Sequence, residues 1–302
     1  MSRSPARVLV LGYGEMGHAM ETLLGKRHEL MIWEKFPQQG FVSAVLEEAA
    51  PQAGILLFCL PVAAHTGVVD AVAPLVSDTA ICLSIAKGLD EEGKTAAQIF
   101  DERLQPAQPR VLLYGPMISE EIRAGRAAFG QLGCRRDADF AFVHTLFEGT
   151  PLYIEQSDDI PGISWAVILK NVYAMLFGIA DELQLGDNVR GFLVMASMRE
   201  LDAIVQTMGG RPGTPYHLAG LADLVTTATS ESSHHHELGR MLARGETENI
   251  TGEGVHTLQM VITHNLLDIR HYPLFRLMHD IIRDPVDARA QLMAFIEAYF
   301  SR

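Results

Sequence analysis

Six short apolar runs punctuate the first half of the chain: residues 7–11, 29–33, 54–60, 80–85, 110–114 and 127–132. A strand covered on one face alternates apolar and polar residues. A run apolar at nearly every position is covered on both. Helical stretches separate these runs, and regular alternation of strand and helix builds a parallel sheet. Near Ser157-Asp-Asp-Ile-Pro-Gly162 the texture changes, and helical periodicity alone follows. The reading is α/β: a parallel-sheet domain over residues 1–157, then an all-helical domain over 158–302. A chain of 302 residues is long enough for two cores. In the second half, Asp187 and Asn188 are expected to cap a helix running toward Gly209-Gly210. Asp284 is expected to cap another, with Pro285 at its first position.

The first run ends in Gly12-Tyr-Gly14-Glu15-Met16-Gly17, and His18 onward can open a helix. This placement gives the glycines their meaning. Gly12 permits a tight turn, Gly14 lets a pyrophosphate approach the backbone, and Gly17 lets helix pack on strand. The unbonded N–H groups at the helix start would then meet the anion. The first domain is therefore read as a Rossmann-type dinucleotide-binding domain. Glu34 ends the second run, where an acid can take the adenosine ribose hydroxyls, which favours NAD over NADP. Lys35 beside it would instead suit a 2′-phosphate. Pro61 opens the loop after the third run and would line the cofactor crevice. His65 in that loop reads either as a substrate contact or as an exposed residue without a role.

The segment from Ile163 to Leu185 is apolar around its whole circumference, which places it in a core, yet it carries Lys170 and Asn171. Burying an ammonium without partners costs several kcal/mol or displaces its proton. Proton transfer is one reason to place a lysine there; snorkelling or pairing with a carboxylate is the other reading. The same polar pair makes this helix a poor membrane span, and Val8–Leu11 is too short for a signal peptide. A net charge of −13 without basic runs argues against a nucleic-acid partner. Cys59, Cys82 and Cys134 sit in apolar stretches without metal or redox spacing, in keeping with a reducing cytoplasm.

With these pieces in order, the sequence resembles the NAD(P)-dependent glycerol-3-phosphate dehydrogenase family over most of its length. After the glycine loop, Ser84-Ile-Ala-Lys87-Gly88-Leu89 looks like the family's S-x-x-K-G-L, and Gly115-Pro116 sits at its S-G-P loop. Lys170-Asn171-Val172 matches K-N-V, and Gly186-Asp187-Asn188-Val-Arg190 matches G-D-N-x-R. Gly220-Leu-Ala-Asp223-Leu-Val-Thr-Thr227 matches G-x-x-D-L-x-x-T, and Glu253-Gly254-Val255-x-Thr257 matches E-G-x-x-T. The resemblance implies NAD, or NADP, as cofactor and Lys170 as the group that protonates the carbonyl oxygen. It implies that Lys87 places that oxygen and that Asp223 orients Lys170. Asn171, Thr227 and Gly115 would contact a small-molecule substrate, and Glu253 the cofactor. Pairing of two copies through their helical domains is a further implication.

Two departures stand out. The family follows its serine with Arg-Asn-Arg, whose first two residues hold the substrate phosphate; here Ser233 precedes His234, His235 and His236. Arginine offers a permanent charge and a bidentate fork, whereas histidine near neutral pH is mostly uncharged. Adjacent histidines point in different directions, so no metal site is expected of them. The second departure is Tyr114-Gly-Pro-Met117, bulkier or less polar than the family's loop. Arg190 remains as a cation for an anionic group. Three readings follow: a dehydrogenase of sn-glycerol 3-phosphate and dihydroxyacetone phosphate; a related dehydrogenase of a substrate without phosphate; and a non-catalytic nucleotide sensor, which would not need two lysines and an aspartate.

Overall fold

The computed structural model describes residues 5–230 and 233–301. The chain divides into two compact units, Met1–Asp90 with Lys94–Ile160, and Glu91–Gly93 with Pro161–Arg302.

The first unit is a seven-stranded sheet in the order β2-β1-β3-β4-β5-β6-β7. Its strands are β1 Arg7–Leu11, β2 Glu29–Trp33, β3 Ile55–Phe58, β4 Ile81–Ser84, β5 Arg110–Tyr114, β6 Ala128–Gly133 and β7 Leu152–Ser157. The helices are α1 Glu15–Leu24, α2 Leu46–Ala49, α3 His65–Val72, α4 Ala96–Arg103, α5 Ser119–Arg123 and α6 Asp137–Leu146. β3 and β4 are buried at every residue and β1 from Val8 onward, as their uninterrupted apolar sequence requires. β1 pairs in parallel with β2 on one side and β3 on the other, bringing Leu11 opposite both Trp33 and Phe58. The strand order reverses here, and the glycine loop leaves β1 at this switch point, where α/β sheets bind ligands.

Two features of the sheet depart from the sequence reading. β6 runs antiparallel to β5. The connection between them holds only the five-residue α5, whereas the parallel β6 and β7 are joined through the ten-residue α6. β7 itself was not foreseen. It is an edge strand whose Leu-Tyr-Ile-Glu-Gln-Ser sequence is buried at Leu152 only.

The second unit is helical: α7 Ile160–Glu182, α8 Asp187–Thr207, α9 Asp223–Thr229, α10 His234–Ala243, α11 Glu253–Thr263, α12 Pro273–Arg283 and α13 Ala288–Phe300. α7 is long and apolar enough to cross a membrane by composition, and its most apolar window lies wholly inside the protein. It packs tightly on α10. A Cβ added at Gly178 would collide with the His236 carbonyl, and one at Gly239 with the Met175 carbonyl, so both glycines are needed for the backbones to approach.

Both expected caps are misplaced. α8 is preceded by Gly186 at φ +84° without any side-chain cap, Asp187 is already its first residue, and it ends at Thr207. Asp284 follows the end of α12, and its carboxylate accepts from the Val286 N–H in the intervening turn. The cap of α13 is Asp287, which accepts from the Ala290 N–H.

Candidate functional site

In the first unit the glycine loop has the shape that anion binding demands. Gly12 sits at φ +95° and donates its N–H to Trp33 O at 2.9 Å; an added Cβ would lie 3.0 Å from Leu60 Cβ. A Cβ at Gly17 would strike the Gly12 carbonyl, whereas one at Gly14 would meet nothing within 4 Å. Open space therefore lies over Gly14, at the N-terminus of α1, where the backbone of Glu15 and Met16 begins the helix. This cradle fits a pyrophosphate. The Met16 side chain packs against the sheet core, and Glu15 pairs with Arg123 at 3.1 Å.

Glu34 stands against the same loop. Its carboxylate accepts from the Tyr13 N–H at 2.7 Å and the Phe36 N–H at 3.0 Å, which holds it in place while leaving lone pairs for ribose hydroxyls. Lys35 lies over the Phe36 ring, 5.4 Å from its centroid. The Tyr13 hydroxyl donates to Glu21, and burial together with that carboxylate pushes the phenol up to about 12.

Lys87 lies half-buried beyond the end of β4 and donates from Nζ to Gly115 O at 3.0 Å, so the lysine and the Gly115 loop are brought together. Gly115 cannot be replaced freely: it sits at φ +150°, and a Cβ there would lie 2.5 Å from Phe129 O. His65 corrects the sequence reading. It is fully buried, neither an exposed loop residue nor a group open to substrate. Its ring bonds Pro61 O through Nδ1 at 3.1 Å and Ser84 Oγ through Nε2 at 2.8 Å. Burial pushes its pKa down to about 4. Burial also raises all three cysteine thiols, Cys82 to about 12.

In the second unit, Lys170 is only 4% exposed and reaches Asp223 Oδ2 at 3.3 Å and Thr227 Oγ1 at 2.5 Å. The Thr227 hydroxyl donates to Asp223 O at 2.7 Å, so its oxygen is left to accept from the lysine. Residues from two separate sequence motifs thus converge. Asp223 begins α9 directly after a π-helical turn over Leu218–Ala222, an irregularity common at functional sites. Gly220 in that turn has no room for a Cβ, which would strike the Pro215 carbonyl. Asn171 is 3% exposed, and its Oδ1 has no hydrogen-bond partner among the described residues.

The start of α11 packs on this region of α7: a Cβ at Gly254 would come within 2.7 Å of Asn171 O. Glu253, the first residue of that helix, has its carboxyl raised by burial. The three histidines go three ways. His234 Nε2 bonds Thr251 O at 2.7 Å, His235 Nε2 accepts from the Gly254 N–H at 3.1 Å, and His236 Nε2 bonds Asp181 Oδ2 at 2.8 Å. Arg190 is engaged too, with Asp181 at 2.6 Å and Asp187 at 3.3 Å. The Asp181–His236 pair was not foreseen. Its signal in sequence was an acid ending an otherwise apolar helix. Away from these residues, α8, α12 and α13 enclose a cavity of about 520 Å³ lined by Ala196, Leu277, Phe295 and Tyr299 among others; no candidate residue lines it.

Comparison with known proteins points one way. Residues 34–138 match a family model described as the N-terminus of NAD-dependent glycerol-3-phosphate dehydrogenase, and residues 159–293 match the C-terminus model. A glycerol-3-phosphate dehydrogenase (NAD(P)+) of Synechococcus sp. (strain JA-3-3Ab) is 30% identical over 308 residues, covering 96% of each chain. One from Fusobacterium nucleatum is 29% identical over 281 residues, covering 85% of this chain and 83% of its own. Among solved structures, glycerol-3-phosphate dehydrogenase from Coxiella burnetii gives a TM-score of 0.83 at 22% identity, over 96% of this chain and 99% of that one.

Proposed function

The chain belongs to the NAD-dependent glycerol-3-phosphate dehydrogenase family, an NAD(P)-dependent group of oxidoreductases acting on CH–OH, and we propose that it interconverts sn-glycerol 3-phosphate and dihydroxyacetone phosphate. The observation that carries this reading is the buried Lys170–Asp223–Thr227 cluster. A nicotinamide dinucleotide, when bound, supplies the hydride. Lys170 donates its Nζ proton to the carbonyl oxygen of the ketone as the alkoxide develops, and takes it back in the reverse direction. Asp223 and Thr227 hold the Lys170 ammonium in place on α7. Asn171 Oδ1 accepts a hydrogen bond from a substrate hydroxyl. An acceptor buried without a donor costs about 1–3 kcal/mol, so a ligand that satisfies it gains that difference. Lys87, held at the Gly115 loop of the first unit, offers a cation to developing negative charge on a substrate oxygen.

The remaining assignments belong to the same proposal. Residues 1–157 bind the dinucleotide through Gly12, Gly14, Gly17 and the backbone of Glu15 and Met16, with Pro61 as a further cofactor contact. Glu34 directs the choice toward NAD. Residues 158–302 carry the proton donor. The setting is cytoplasmic, and the enzyme works as a homodimer.

A second reading keeps the chemistry and drops the phosphate. One observation favours it: His234 and His235 both turn Nε2 to the backbone of residues 251–254, and Arg190 is paired with two aspartates. Oxidation of NADH and NADPH with dihydroxyacetone phosphate, followed beside unphosphorylated dihydroxyacetone, separates the two. The first reading requires turnover of the phosphorylated ketone; equal or better turnover of the other hands the site to the second.

A further inference from the structure

Two loops leave the C-terminal ends of neighbouring strands in the first unit. The loop after β3 runs from Cys59 to Pro61, and Ser84, the last residue of β4, leads into the loop that carries Lys87. A single side chain touches both. His65 has no solvent exposure, and its ring packs beside Phe58 and Phe100 at centroid distances of 5.2 and 5.9 Å.

Its hydrogen bonds can be oriented from chemistry alone. The partner of Nδ1 is a carbonyl oxygen, which only accepts, so Nδ1 carries the hydrogen. In the neutral ring Nε2 then holds a lone pair and accepts the Ser84 hydroxyl proton. That leaves the Ser84 oxygen to accept, and it accepts the Ala86 N–H at 3.1 Å. One directed chain results, from Ala86 N–H to Ser84 to His65 to Pro61, starting one residue before Lys87. We infer that His65 is a positioning residue for Lys87: through Ser84 it sets the path of the backbone that carries this lysine, and through Pro61 it ties that backbone to the neighbouring loop.

The chain holds only while the imidazole is neutral, since a protonated Nε2 would compete with the serine hydroxyl hydrogen. Burial keeps it neutral, pushing the group down to about 4. An ordinary core histidine would need hydrogen-bond partners but not these partners. Here one closes the loop after β3 and the other ends β4 just before the loop of Lys87, and Ser84 has no exposure to water that could replace the ring. Leucine at 65 would leave a buried hydroxyl without an acceptor, and the Ala86–Lys87 backbone would hang on a serine that nothing orients. Glutamine keeps one donor and one acceptor on a planar head of similar reach.

The inference rests on the proposed dehydrogenase activity for its kinetic test and has a second readout that does not. His65→Leu, His65→Gln, Ser84→Ala and the double variant His65→Leu/Ser84→Ala are compared with wild type for kcat with dihydroxyacetone phosphate, NADH dissociation constant and amide hydrogen exchange at Ala86 and Lys87. His65→Leu and Ser84→Ala should each lower kcat by about tenfold or more, the scale of a misplaced catalytic group, and speed exchange at Ala86. The double variant should be no worse than the worse single, because both break one chain. His65→Gln should recover most of kcat and of the exchange protection. Losses that multiply in the double variant, or unchanged kcat and exchange in a folded His65→Leu, would overturn the inference. Should His65→Leu not fold, Ser84→Ala and His65→Gln decide it by the same criteria. A wild type without turnover on the phosphorylated ketone refutes the substrate reading instead, and exchange at Ala86 then decides the role of His65 alone.

Discussion

The pairing of Lys170 with Asp223 can be tested by what its removal does to stability. Both residues are almost wholly buried, at 4% and 3% exposure, with Nζ and Oδ2 3.3 Å apart. Two unit charges at that separation attract by about 5 kcal/mol at an effective dielectric constant near 20, before the cost of desolvating them is counted. Lys170→Met removes the ammonium, keeps the apolar stem, and strands a carboxylate in the interior. Asp223→Asn strands the ammonium. Breaking a buried pair from one side costs about 3–5 kcal/mol, so each single variant should lose that much stability. Removing both charges strands neither, and such replacements are often close to neutral, so Lys170→Met/Asp223→Asn should lie within about 2 kcal/mol of wild type. The singles are therefore predicted to be strongly non-additive. The assay is urea unfolding followed through Trp165, which is buried on α7 in the same helical unit, with Trp33 replaced by phenylalanine. A double variant destabilised by the full sum of the singles would show that the two groups do not form the coupled pair described.

Three further outcomes follow from single residues. Burial lowers the folded pKa of His65 from 6.5 to about 4, so the unfolded chain binds the extra proton between those values; the contribution of the neutral ring is complete above pH 6.5 and is lost as pH falls toward 4. That amounts to about 3 kcal/mol, and His65→Leu should flatten the stability profile by this amount between pH 6.5 and 4, as read from urea midpoints. Gly178→Ala drives a Cβ into the His236 carbonyl, and the overpacking should cost about 1–3 kcal/mol or more in the Trp165-monitored transition. Glu34→Gln should weaken NADH binding and reduce the preference over NADPH in fluorescence titrations, whereas tighter NADPH binding by the wild type would move the specificity role to Lys35.

The sheet was legible where burial on both faces leaves an unbroken apolar run, as in β1, β3 and β4. It was illegible at β7, whose single buried residue gives no such run, and at the reversal of β6, which depends on the length of a connection and not on the strand itself. Helix interiors were easier than their ends. Asp187 and Asp284 are both competent caps, but Gly186 and Asp287 stand at those positions, and composition does not rank neighbouring candidates. The second-unit cluster was partly readable because a lysine in an apolar helix demands partners: Asp223, named by the resemblance as orienting Lys170, lies beside it, whereas Thr227, expected at the substrate, bonds the lysine instead. His65 was misread because nothing in a loop-like sequence announces that a side chain turns inward. The engagement of Arg190 and of the three histidines depends on tertiary neighbours such as Asp181 and residues 251–254, which sequence alone does not bring near.

We propose that Lys170 delivers the proton during hydride transfer. Single-turnover reduction of dihydroxyacetone phosphate by pre-bound NADH, followed at 340 nm in wild type and Lys170→Ala, tests it most directly. Loss of a positioned acid should slow the chemical step by about a hundredfold or more while NADH binding, titrated separately, stays within about twofold. A folded Lys170→Ala enzyme that transfers hydride at the wild-type rate would rule out Lys170 as the proton donor.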